Sequence, residues 1–90
     1  MASAKAFGND WRTDVKMTPS DYSVLRDAVQ AITTTAPDAR QKYLDSGLSD
    51  RRFIWDVIHA AKLYTIMNLK EYDDAHIETA ARKALGIPRR

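Results

Sequence analysis

Two histidines and a scatter of carboxylates are the side chains best suited to chemistry in this chain. Asp56 and His59 stand three residues apart, and Asp73 or Asp74 lies just before His76. On helices each pair would project from one face, and two facing pairs could gather the four ligands of a metal centre. Nothing in the sequence requires them to face each other. Asp56 with His59 reads equally well as a local hydrogen-bonded pair, and His76, near a helix start, as a solvated side chain. Nucleophilic chemistry has less support. There is no cysteine, and Ser20, Ser23, Ser46 and Ser49 have no base and orienting acid at a useful spacing. Gly8, Gly47 and Gly86 are too far apart to form a phosphate-binding loop. A domain this small also leaves little room for a ligand pocket. The expectation is a protein with no catalytic, cofactor-binding or metal-binding residues, and not an enzyme.

Composition narrows the setting. Fourteen lysines and arginines against twelve acids leave a net charge of +2, with the two signs interspersed, which argues against a dedicated polyanion binder. Ninety residues, 44% of them hydrophobic, suit one small domain. A chain of that length buries only about 60–65% of its unfolded surface, so modest stability is expected. The absence of cysteine removes any disulfide framework and points to a cytoplasmic setting. MASAKAFGND lacks the apolar run of a signal peptide, and no stretch reaches the length of a membrane span. A soluble protein without a membrane partner is expected.

The elements that must position these side chains are helical. Residues 1–17 read as an N-terminal arm, partly docked, because Phe7, Trp11, Val15 and Met17 carry too much apolar bulk for a free tail. Trp11 and Val15, at i and i+4, suit a short turn against the body. Residues 18–90 form a single helical domain. Thr18, Pro19 and Asp21 mark a helix start, and Tyr22, Leu25, Val29 and Ile32 carry a stripe over about 19–32, widened by Val24, Ala28 and Ala31. Three threonines and the residue before Pro37 should end it. A short helix follows from Asp38, carrying Tyr43 and Leu44, and stops at Gly47. Ser49 and Asp50 open a third, over 50–64. Ile66, Met67 and Leu69 fit either a bent continuation or a separate turn. Asp73 or Asp74 caps a last helix whose stripe is Ile77, Ala80, Ala81, Ala84 and Leu85, with Glu78 and Arg82 as an i, i+4 pair. Gly86 and Pro88 stop it, leaving Arg89 and Arg90 as a basic tail. The fold class expected is all-α, a compact bundle of about four helices.

The third helix, RRFIWDVIHAAK over residues 51–62, carries the most informative surface. At roughly 100° per residue, Phe53, Ile54, Val57, Ile58, Ala61 and Tyr64 cover one arc, expected to be core. Arg52, Trp55, Asp56, His59, Lys62 and Leu63 fall on the other side. Trp55 is either covered by the arm or by the last helix, or it anchors a contact surface of Arg51, Arg52, Trp55, His59 and Lys62, a composition favoured at interfaces. An uncovered Trp55 would also favour a homodimer. Helix–Gly–Leu–Ser–helix over 38–64 invites comparison with a helix-turn-helix, where Ser49, Asp50, Arg51 and Arg52 would approach bases. Tyr43, four before the glycine, is too large for that close crossing, and Asp56 falls where an aliphatic is normally buried.

Leu48-Ser49, Arg52-Phe53-x-Trp55-Asp56, Ala60-Ala61, His76-Ile77-Glu78-Thr79-Ala80 and Arg82 together resemble small uncharacterised helical proteins carried by bacteriophages and mobile elements. The resemblance covers the C-terminal half and departs around residues 64–72. It implies a short accessory protein that acts by binding a host or phage macromolecule, and it leaves open that Asp56 and His76 bridge the third and last helices. The expectation is therefore a non-enzymatic protein-interaction module that modulates or inhibits a host complex. The alternative is a nucleic-acid binder contacting phosphates through Arg51, Arg52, Lys62, Arg89 and Arg90.

Overall fold

A computed structural model describes residues 16–88. The expected arm falls almost wholly outside the described residues, as do Arg89 and Arg90. Within them the order is α1 (Pro19–Thr35), α2 (Ala39–Asp45), α3 (Asp50–Tyr64) and α4 (Asp74–Leu85), with no strand among the described residues. The all-α expectation stands.

Each helix begins and ends where local chemistry satisfies its free backbone groups. The Thr18 hydroxyl accepts the Asp21 N–H at 3.1 Å, Pro19 occupies the first turn, and Asp21 places its charge near the positive end of the dipole. The Ser49 hydroxyl does the same for the Arg52 N–H, also at 3.1 Å. Gly47 and Gly86 take positive φ angles of 81° and 71°. Behind Gly47, Leu48 N–H returns to the Tyr43 carbonyl; behind Gly86, Ile87 N–H returns to that of Arg82. Both are six-to-one closures that an L side chain at the glycine would strain.

α1 runs three residues past the expected end at Ile32. The threonine hydroxyls donate back to carbonyls one turn earlier: Thr33 to Val29 at 3.0 Å, Thr34 to Gln30 at 2.7 Å and Thr35 to Ile32 at 2.7 Å. Their polar groups are thus satisfied within the helix, and the small β-branched penalty does not end it. Termination waits for Ala36, the residue before Pro37.

Helices α1, α3 and α4 enclose the core, and α2 rests on α3. Leu25, Ala28 and Val29 from α1 meet Phe53, Ile54, Val57, Ile58 and Ala61 from α3 and Ile77, Ala80 and Ala81 from α4. Ala80 and Ala81 are fully covered and let the helices approach closely. Val24, expected to widen the α1 stripe, is exposed instead. Polar ties fix the frame. Arg40 grips Asp50 through two bonds of 2.8 Å, joining α2 to the start of α3, and the Gln30 amide reaches the Ala84 carbonyl at 3.2 Å.

Tyr64 departs from the expected core arc: it is 64% exposed. Residues 62–64 are all exposed, so the last turn of α3 runs past the core that would have received the ring. The helix ends at Thr65, whose backbone is extended, and 65–73 is a separate connection with a turn at Lys70–Glu71. Leu69 from this connection is buried while Ile66 is 96% exposed.

Candidate functional site

The Ser49 cap and the core arc together set the rotation of α3. Arg51 and Trp55 then face α4, Arg52 and Asp56 lie toward α2, and His59, Lys62 and Leu63 face outward.

Toward α4 the three-way meeting point is Glu78, a carboxylate only 5% exposed. Its Oε1 accepts the Trp55 indole N–H and the Arg51 Nε–H, both at 3.0 Å. Its Oε2 accepts Arg82 Nε–H at 2.9 Å, and Arg82 also donates to the Pro88 carbonyl at 3.1 Å. Burial works against ionising Glu78. The bonds from Trp55 and Arg82 and the charges of Arg51 and Arg82 outweigh it, holding the carboxyl below the ordinary glutamate range. A buried charge left without such donors would be strongly destabilising, so the cluster fastens α3 to α4 only as a complete set.

Toward α2 the smaller hub is Asp56. Its Oδ2 accepts the Tyr43 hydroxyl at 2.6 Å and Arg52 Nε–H at 3.3 Å. The Tyr43 bond is the chief reason Asp56 is held below the usual carboxylate range, with the Arg52 charge adding to it against partial burial. The same bond pushes the Tyr43 hydroxyl above its ordinary value. The Tyr43 ring packs edge-on against Phe53, centroids 5.3 Å apart. Tyr43 therefore stands as a post between α2 and α3, where a helix-turn-helix needs a small residue.

Trp55 is half-buried. α4 meets it through Glu78, and the His59 ring lies 6.0 Å from it, tilted by 47°. His59 and Lys62 are exposed, and next to them Leu63 is 92% exposed. The five α3 residues expected to form a surface are thus split. Arg51, Arg52 and the Trp55 indole N–H bond within the molecule, while His59 and Lys62 face solvent.

Two expectations about carboxylates change. Asp56 accepts hydrogen bonds from Tyr43 and Arg52 rather than from His59, whose ring lies against Trp55, or His76, and α3 is joined to α4 through Glu78. No group of three or more His, Asp or Glu side chains suited to a metal ion occurs among the described residues.

Small size did not preclude concavity either. One cleft of about 540 Å3 opens over Ser49, Arg51, Glu78, Arg82 and Pro88. A groove of about 510 Å3 runs between the end of α3, the 65–73 connection and the start of α4.

Glu78 is absent from the residues the sequence singles out as a site, although it carries a signal there. It sits between Ile77 and Ala81 on the edge of the α4 stripe, a place where a carboxylate must find donors. Leu63 was visible as an apolar residue off the core arc. No family model, curated protein or solved structure matches the chain.

Proposed function

We propose that the chain is a helical protein-interaction module whose contact surface is the outer face of α3, centred on Trp55, His59, Lys62 and Leu63. The observation that carries this reading is Leu63: a leucine 92% exposed, one turn beyond the exposed His59, whose ring lies against the half-buried Trp55. Together with His59 between them, they offer apolar and aromatic area of the kind that anchors interfaces. Arg51 and Arg52 supply a polar rim held in place by Glu78 and Asp56. In biological form this is a cytoplasmic accessory protein of the phage or mobile-element type, acting on a host complex and carrying out no catalysis.

The alternative, a nucleic-acid binder, is less favoured. Arg51 and Arg52 each direct Nε to a carboxylate, so of the three α3 cations only Lys62 has no ion pair among the described residues. Arg89 and Arg90 lie outside the described residues and would have to supply the rest.

The immobilised 90-residue chain exposed to host-cell extract tests the reading. A defined protein should be retained through nuclease treatment and across a salt increase from about 50 to about 200 mM, and Leu63→Asp should abolish retention. Retention of DNA or RNA that collapses over that salt range would transfer the function to the alternative.

A further inference from the structure

The groove beside the end of α3 has an apolar floor and walls of opposite charge. Leu69 and Ile77 are buried in it, and Met67 and Tyr72 are half-buried. Lys62 stands on the α3 wall and Asp74 on the α4 wall, with Lys70 on the connection between them. Glu71 and Asp73 are exposed next to these lining residues in the chain, so acids and bases nearly balance. Lys62, Lys70, Asp73 and Asp74 have no ion pair among the described residues, and the Asp73 side chain makes no cap bond to α4. The Tyr72 hydroxyl is already engaged, donating to Asp21 and accepting the Thr18 N–H at 3.3 Å.

Ile66 belongs to the same surface. The chain leaves α3 through the extended backbone of Thr65, which carries Ile66 off the helix and leaves it 96% exposed at the edge of the groove. One molecule thus holds out a branched aliphatic side chain beside an apolar groove that it does not itself fill.

Charge and shape select the occupant. A polyanion would meet Glu71, Asp73 and Asp74, and a peptide of one sign would meet like charge on one of the walls. A second copy of the chain carries both signs in matching order. In a two-fold contact the same patch serves both molecules, so the α3 wall of each meets the α4 wall of the other. Lys62 then faces Asp74 twice over, and each Ile66 enters the groove of its partner. With Met67, Tyr72 and the lysine stems, the contact reaches about 600 Å2 per copy, the lower end of what a stable dimer buries.

We propose that this groove is the interface of a weak, two-fold homodimer, built on reciprocal insertion of Ile66 and reciprocal Lys62–Asp74 pairs. Trp55, His59 and Leu63 do not line the groove. The dimer is therefore distinct from the α3 contact face, sharing only Lys62 with it, and holds whether or not that face binds another protein.

Sedimentation of the 90-residue chain from about 1 to about 500 μM tests the proposal, with the average mass expected to rise from one chain toward two in the micromolar range. Ile66→Asp should move that rise to at least about tenfold higher concentration and leave the helical circular dichroism unchanged, because position 66 faces solvent in the single molecule. Lys62→Asp alone should also weaken the dimer, and adding Asp74→Lys to it should restore association by exchanging the two walls. A single-chain mass across the whole range would overturn the proposal. So would a dimer that Ile66→Asp leaves intact, which would place self-association elsewhere on the surface, or a double exchange that associates no better than Lys62→Asp.

Discussion

Along the first half of α3, side chains that leave the core are held by partners: Arg51 and Trp55 by Glu78, Arg52 by Asp56, Asp56 by Tyr43. Along the second half, His59 rests on the Trp55 ring, and Lys62, Leu63 and Tyr64 stand in solvent. Both halves share one helix and one core arc, so helical geometry does not separate them. The difference lies in what the neighbouring helices offer. α4 presents a carboxylate at its second turn and α2 a tyrosine hydroxyl, both opposite the first half, and the last turn of α3 runs beyond the core. Fastening and display are thus divided between the two ends of one element, with Trp55 and His59 at the join.

Removing the fastener should give the largest effect. Glu78→Ala leaves Arg82 largely buried without its carboxylate and frees the Trp55 indole, and should cost about 3 kcal/mol. By thermal unfolding that corresponds to a drop of roughly 12–24 °C for a domain of this size.

Acid should act through the same group. Because the folded state holds Glu78 below the ordinary glutamate range, its contribution is complete above about pH 4.3 and is lost as pH falls through the lower folded value. Asp56, also lowered, has the same sign. Unfolding midpoints across the acid range should fall more steeply for the native chain than for Glu78→Gln.

Smaller changes sharpen the contrast. Trp55→Phe keeps a ring but deletes one bond to the buried carboxylate, for a loss of about 1 kcal/mol in denaturant unfolding. Asp56→Ala removes a more exposed hub and should cost about 0.5–1 kcal/mol, since its bonds compete with water. Leu63→Asp, at a position with nothing packed on it, should change stability by less than about 0.5 kcal/mol.

The sequence carried the helices well because their caps and stripes are local: Thr18, Ser49, Gly47 and Gly86 act where their types predict. The end of α1 is not legible in the sequence, because β-branching at Thr33–Thr35 is visible there whereas satisfaction of their hydroxyls by carbonyls one turn back depends on the helix being present. The angle of Tyr64 on the wheel places it with the core, but that angle says nothing of where the core ends along the axis. The site was half legible. His59 and Lys62 follow from their position opposite the core arc, but the pairing of Trp55 with Glu78 spans two helices, and no pattern within either one specifies it.

The division of α3 is tested most directly by scoring Leu63→Asp and Glu78→Gln on both melting temperature and partner retention, the latter below each variant's unfolding range. Leu63→Asp should keep the native melting temperature and lose retention, while Glu78→Gln should melt earlier and still retain the partner. Retention that survives Leu63→Asp, or a melting temperature that Glu78→Gln leaves unchanged, would contradict the account.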